Sequence, residues 1–374
     1  MTVKNYRLRE LDFLRGVAII LVLLRHQALF QFTKRMGWIG VDLFFVLSGF
    51  LVSGLLFKEY LKYGNIKPIR FLIRRGFKIY PVYYIFFLVY IIPIIMKGDV
   101  DFYGIISDLT FIQNYTFGFG YTNFATWSLA VEEHFYFGLA AALFFIFKKN
   151  LIQLKVENED SGISQFEKMI FIIMGLCLSL RIISNLISPE QFIRHLTMTH
   201  LRIDSLLAGV FVSYLYYFRF NYLKSIFLKY KPLLFVIAIA GVSWTPFIIF
   251  KQSFFALTIG FTLLYISFSI LLVTFLLVKN INQILNSLFS KALVSLFQKI
   301  GFCSYSIYII HVFVTESIAI IRPYYKLLIN NYICFLVVAF FSVCSGMIIT
   351  YTIERYFLTI RDKYFPNRLS ENIK

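Results

Sequence analysis

The sequence predicts an all-α protein that crosses a membrane about ten times. Three observations lead there. Hydrophobic residues make up 59% of the 374-residue chain and charged residues only 15%, too few to cover a soluble protein of this size. Mean hydropathy is correspondingly high, at +0.75. The apolar residues gather in runs close to the ~20 residues that a bilayer-spanning helix needs.

Ten runs satisfy that length approximately: 12–32, 38–57, 79–96, 127–147, 169–187, 204–218, 232–250, 255–278, 300–319 and 332–352. The sixth is short. Nothing resembles a cleavable signal peptide, so the first run is expected to stay as an anchor. The basic residues between the runs set the orientation. With the N-terminus inside, 26 of the 37 Lys and Arg fall in inner segments and eight in outer segments, with Arg15, Arg25 and Arg181 inside runs. An even number of spans then returns the C-terminus to the cytoplasm. The formal charge of +18 is therefore divided among short inner segments, which argues against a nucleic-acid partner.

One transmembrane domain, 1–374, is expected. Within it 148–168, with Glu157, Glu159, Asp160, Ser161 and Gly162, reads as a flexible cytoplasmic linker. The outer stretch 105–117 is amphipathic and suits the membrane interface. Cys177, Cys303, Cys334 and Cys344 lie in apolar runs without paired spacing, which points to core thiols and to neither disulfides nor a metal site.

Ionisable residues inside spans are costly and mark functional candidates. In the first run Asp12, Arg15, Val22 and His26 share one stripe, since the 11 residues from Arg15 to His26 leave only about 20° of misalignment. The plainer reading of Arg15 is a basic anchor at the inner boundary. Asp42 lies in the second run. The fourth opens with Trp127, Ser128, Glu132, Glu133, His134 and Tyr136. Counted from the run ends, His26 and Glu133 each lie about 9 Å deep. That predicts a carboxylate–imidazole pair between the first and fourth spans, either catalytic or merely joining two helices. The ninth run carries Tyr305, Tyr308 and His311, the last two on one face; packing through polar residues is the alternative. Arg202 and Asp204 are expected to pair at the outer boundary, with a role at the acceptor site as the sharper reading. The inner stretch 58–78 holds seven basic residues and includes Arg74, Arg75 and Lys78. It serves topology, or else binds a polyphosphate such as the coenzyme A handle.

Taken in order, these stretches resemble the acyltransferase family 3 membrane proteins. Leu11-Asp12-Phe13-Leu14-Arg15-Gly16 followed by His26 is similar to that family's Arg-x10-His signature. Gly40 to Phe50 resembles its second-helix signature. Arg75-Gly76-Phe77-Lys78 sits where Arg-x-x-Arg is usual, Trp127-Ser128-Leu129 with Glu132-Glu133 and Phe135-Tyr136 resembles its acidic motif, and Gly301 to His311 and Ile353-Glu354-Arg355 resemble its closing elements. Three residues depart from the pattern: Lys78 replaces Arg, His134 replaces Gln, and Tyr356 replaces Pro. No hydrolase-like domain follows the membrane part, so that part is expected to complete any transfer.

The resemblance implies a multi-pass O-acyltransferase of the bacterial cytoplasmic membrane. It implies acetyl-CoA as the cytoplasmic acyl donor and no metal. The acceptor would be a hydroxyl of a carbohydrate such as a lipopolysaccharide or another envelope glycan, met among membrane lipids. Oligomeric state stays open. His26 is the expected general base, since an imidazole buried away from water is neutral and able to take a proton. Glu133 or Glu132 would orient it, with His134 able to share that role. Trp127, Tyr136 or Tyr308 would stabilise the thioester oxyanion. Arg15, Arg74, Arg75 and Lys78 would hold the donor's phosphates, and Asp12, Asp42, Ser128, Arg202, Asp204, Tyr305 and His311 would support the substrates. The rival class is a transporter or flippase of a lipid-linked sugar, with the buried charges as a proton relay.

Overall fold

The computed structural model describes residues 9–27, 29–152, 154, 162–324 and 330–370. Glu157, Glu159, Asp160 and Ser161 of the expected linker lie outside the described residues, as do Lys4, Arg7, Lys155, Lys326 and Lys374.

Ten helices of 16 residues or more among the described residues correspond one to one with the ten apolar runs: α1 Arg9–His26, α2 Ile39–Tyr63, α3 Pro68–Lys97, α4 Trp127–Lys148, α5 Gln165–Ile187, α6 Ile203–Phe218, α7 Phe220–Ser243, α8 Phe261–Leu277, α9 Ser304–Tyr324 and α10 Asn331–Ile349. Among the described residues there is no strand. Eight helical stretches among the described residues are long and apolar enough to cross a membrane. The other two runs fail that measure for physical reasons: α1 carries Arg9, Glu10, Asp12, Arg15 and Arg25, and α6 has only 16 residues. Lipid-facing helices show it in their side chains: Leu176, Leu186, Val236 and Phe340 are all exposed. The chain is an all-α, multi-pass membrane protein.

Several helix ends differ from the apolar runs, and these differences shape the site. The stretch 58–78 is not a loop. α2 continues to Tyr63, Gly64 terminates it with φ +70°, and Pro68 opens α3 at a position where its missing N–H costs nothing. Hydrophobicity underestimates both helices because their ends are charged. α1 stops at His26, short of 32, and a separate helix Gln31–Met36 follows. Before α9, the helix Lys291–Phe302 ends at Cys303 and packs along α1. α10 passes through a π-helical turn, Thr350–Glu354, into a final helix, Arg355–Tyr364. The outer stretch forms short helices Phe102–Leu109 and Gln113–Thr116, with Phe102, Tyr103 and Tyr115 exposed.

Small residues bring the central helices together. A Cβ at Gly49 of α2 would lie 1.9 Å from the Leu206 carbonyl oxygen of α6, and one at Gly301 would lie 1.7 Å from the Asp12 carbonyl oxygen of α1. α2 thus meets α6, and the helix Lys291–Phe302 meets α1, backbone to backbone; Gly40 of α2 also lies close to the Ala18 carbonyl oxygen of α1, and the polar stripe of α1 is enclosed in the bundle.

Candidate active site

Three cavities follow one another through the bundle. The first, about 290 Å³, lies at the basic end, where α2 stops and α3 starts. Glu59, Arg70, Arg74, Arg75, Lys78, Arg361 and Arg368 line it. Arg70, Arg74 and Lys78 recur at four-residue intervals along α3 and so share a stripe. The chain after Tyr364 returns across this stripe. Arg70 Nη2 donates to the Pro366 carbonyl at 2.5 Å, Arg74 donates to the Phe365 carbonyl, and Arg74 pairs with Asp362 at 3.1 Å. Arg368 Nη1 donates to Glu59 Oε1 at 2.8 Å. Arg361 and Arg368 are site residues that sequence reasoning missed. Their only signal was membership of the last basic cluster.

The second cavity, about 130 Å³, shares Arg75 and Lys78 with the first, and Arg15, Ser48, Ser128, Glu132, Tyr305 and Tyr308 also line it. Glu132 is held at both oxygens: Ser48 Oγ donates to Oε1 at 2.7 Å and the Tyr136 hydroxyl to Oε2 at 2.7 Å. Arg75 Nη2 donates to the same Tyr136 hydroxyl at 3.0 Å, with its guanidinium 4.6 Å from the ring centroid. Arg75 Nε keeps no hydrogen-bond partner although buried. Lys78 is different: its ammonium meets Glu354, which also accepts from Ser306 Oγ at 3.2 Å. The cation expected to hold phosphate is thus paired with a carboxylate from the π-helical turn, where the family's closing motif lies.

The third cavity, about 290 Å³, shares Val41 and Tyr308 with the second. Arg25, His26, Lys34, Trp38, Asp42, Trp127, Arg202 and Lys251 line it, with the rings of Phe119, Phe124, Phe192 and Phe250. His26 ends α1. Its ring centroid is 5.0 Å from that of Phe124 and 5.1 Å from that of His311. His311 Nδ1 lies 2.6 Å from the Tyr308 carbonyl. A carbonyl only accepts, so Nδ1 carries the proton and Nε2 the lone pair. That Nε2 is buried and unpartnered. The Tyr308 hydroxyl donates to the Ala125 carbonyl at 2.8 Å and lies 2.7 Å from Ser128 Oγ.

The expected pairing of His26 with a carboxylate is not formed. Glu132, Glu133 and His134 are consecutive on α4 and diverge by about 100° per step. Glu132 turns to Ser48, Glu133 accepts from the Tyr80 hydroxyl at 2.8 Å, and His134 Nδ1 meets Thr199 Oγ1 at 2.7 Å. The depth comparison failed because α1 ends at His26, whereas Glu133 lies six residues into α4. The companion of His26 is His311. The expected Arg202–Asp204 pair is also replaced. Arg202 pairs with Asp42 at 2.5 Å and Asp204 with Arg181 at 2.9 Å, all four buried. Arg202 is the N-cap of α6 and Asp204 its second helical residue, so the side chains diverge. Among the other candidates, Trp127 packs edge-on against Phe45, and the Tyr305 hydroxyl donates to the Ile79 carbonyl at 2.6 Å. Asp12 is buried against Gly301 and lines none of the three cavities.

Fold and site together define a multi-pass α-helical membrane protein whose polar chemistry is enclosed between a basic end and an aromatic end. The chain belongs to the acyltransferase family, whose acyltransferase domain matches residues 8–354. It is 33% identical over 147 residues to a peptidoglycan O-acetyltransferase of Listeria monocytogenes, covering 34% of this chain and 22% of that protein. It is 32% identical over 140 residues to a putative O-acetyltransferase of Staphylococcus aureus, covering 34% and 23%. A further Staphylococcus aureus O-acetyltransferase is 28% identical over 224 residues, covering 55% and 34%. The chain spans about a third or less of the length of these curated relatives. No solved structure matches the chain.

Proposed function

We propose that the chain transfers an acyl group, most simply acetyl, from acyl-CoA to a hydroxyl of an envelope carbohydrate, within the bacterial cytoplasmic membrane. One observation carries this reading. The three cavities share lining residues in sequence, Arg75 and Lys78 between the first two, Val41 and Tyr308 between the second and third. Two substrates approaching from opposite ends would meet at the Tyr308 wall.

The residues fit a donor with a phosphorylated handle. Arg70, Arg74, Arg75, Arg361 and Arg368 surround the first cavity, and Arg75 Nε is an orphaned donor beside it. Guanidinium forks suit phosphate oxygens. Lys78, neutralised by Glu354, contributes less than the sequence pattern implies. Arg15 lies one cavity further in. The acyl group then faces Tyr308 and Ser128, whose hydroxyl protons would turn from the Ala125 carbonyl and from each other to a developing oxyanion.

His26 takes the proton of the acceptor hydroxyl as its oxygen bonds to the thioester carbonyl carbon, and returns it to the coenzyme A sulfur as the C–S bond breaks. His311 packs against His26, ring to ring, with a fixed tautomer and an unpartnered lone pair on Nε2. Glu132 does not orient the base; it accepts from the Tyr136 hydroxyl, which in turn accepts from Arg75 beside the middle cavity. The chemistry is the same whichever carbohydrate accepts.

The test uses purified full-length chain with radiolabelled acetyl-CoA and a mixture of envelope glycans. Label should pass to glycan with wild type and not with His26→Ala at equal membrane insertion. Acetyl-CoA should also raise the thermal midpoint by mass action. A flippase for a lipid-linked sugar would show neither effect, and label transfer by His26→Ala would overturn the mechanism.

A further inference from the structure

The third cavity holds more positive charge than topology explains. Outer segments are depleted in basic residues, and eight were assigned to them here. Three of those eight, Lys34, Arg202 and Lys251, line this one cavity, and Arg25 joins them from α1. The carboxylate on the same wall, Asp42, is already paired with Arg202. Arg25 Nη1 donates to the Lys34 carbonyl at 3.0 Å, which fixes the short helix Gln31–Met36 at the rim. Lys34 and Lys251 are exposed there and face no carboxylate among the described residues, Lys251 resting 4.9 Å over the Phe192 ring.

The cavity also contains unmatched polar atoms. Trp38 Nε1, Arg202 Nε and Asp42 Oδ2 are buried without a hydrogen-bond partner, and all three side chains line it. Two donors and one acceptor between aromatic rings suit a sugar, which offers hydroxyls at its edge and C–H groups on its face. Two free ammonium groups at the mouth suit an anion on that sugar.

We infer that the third cavity binds an acidic sugar. Trp38, Trp127 and the neighbouring rings hold the ring face, and Lys34 and Lys251 hold the acid group. This rests on the acyl-transfer reading, in which that sugar is the acceptor beside His26.

Two of the chain's three tryptophans, Trp38 and Trp127, line the cavity, so intrinsic fluorescence reports its occupancy directly. The chain is placed in phosphatidylcholine nanodiscs and titrated with a glucuronic-acid oligosaccharide and with its carboxyl-reduced counterpart. The acid should bind about tenfold more tightly at low salt, with the advantage shrinking as salt is added. Lys34→Gln/Lys251→Gln should erase the advantage and leave the acetyl-CoA-induced rise in thermal midpoint unchanged. Equal binding of the two sugars by wild type overturns the inference, and that comparison decides it even if the double variant does not purify. Glucose 1-phosphate against glucose shows whether phosphate serves as well as carboxylate, and a phosphate-only preference also overturns the sugar-carboxylate assignment. Loss of the acid advantage in phosphatidylglycerol nanodiscs makes a lipid headgroup the occupant and overturns it too. If acetyl-CoA produces no thermal response, the acyl-transfer reading fails, while the paired sugars still decide what the cavity binds.

Discussion

His26 and His311 face each other with ring centroids 5.1 Å apart, and neither ring meets a carboxylate among the described residues. In the proposed mechanism the base would therefore have a second histidine ring as its neighbour, whose own orientation comes from the Tyr308 carbonyl one turn earlier.

This relationship separates three variants. His26→Ala should abolish acetyl transfer. His311→Ala should lower kcat about 100-fold, in the range that a positioned proton acceptor contributes, and should alter the pH profile of kcat. Glu133→Gln should keep kcat within about tenfold of wild type, since Glu133 serves Tyr80. A Glu133 variant as inactive as His26→Ala would restore the carboxylate–imidazole pairing.

The tail that returns over α3 makes a second prediction. Arg368→Ala and Arg361→Ala should each raise the KM for acetyl-CoA about three- to tenfold with little change in kcat, because charge contacts of half-buried side chains at the edge of the cavity are individually modest. Steady-state kinetics with varied acetyl-CoA checks the split. An unchanged KM in both variants removes the tail from the donor site.

Lys78 and Glu354 form a pair whose disruption is asymmetric. Lys78→Met strands the buried Glu354 carboxylate and should cost about 3 kcal/mol, whereas Lys78→Met/Glu354→Gln should recover most of it. Thermal unfolding of the double-mutant cycle in detergent measures this. A double variant as unstable as Lys78→Met would show that the pair is not the source of the loss.

The close helix contacts supply a contrast with a built-in control. Gly301→Ala places a Cβ 1.7 Å from the Asp12 carbonyl oxygen, and Gly49→Ala one 1.9 Å from that of Leu206. Each should destabilise by about 1–3 kcal/mol. Gly138 of α4 has nothing within 4 Å of a built Cβ, so Gly138→Ala should be neutral or slightly stabilising, by up to about 1 kcal/mol. Unfolding midpoints of the three variants decide it.

Much of the site was legible in the residues. Tyr308 and His311, read as i, i+3 neighbours, do share a face, and Ser128 of the acidic motif meets Tyr308. The first-helix stripe does carry Arg15 to the middle cavity and His26 to the aromatic one. Other relations were hidden. Arg25, Lys34 and Lys251 had no shared periodicity, and they meet because α1 ends at His26 and a short helix turns back at its tip.

The sequence by itself determined that the chain is helical, where its ten long helices lie, and which end of the bundle is basic. Those properties depend on apolar run length, helical period and charge count, which are local. Only the tertiary structure decided partners: Glu132 to Ser48, Arg202 to Asp42, Lys78 to Glu354, and Arg368 back to Glu59. A periodicity gives the face of a helix that a side chain occupies. It does not give the rotation of the neighbouring helix or the residue at which a charged helix end stops, and those two quantities set which buried charges meet.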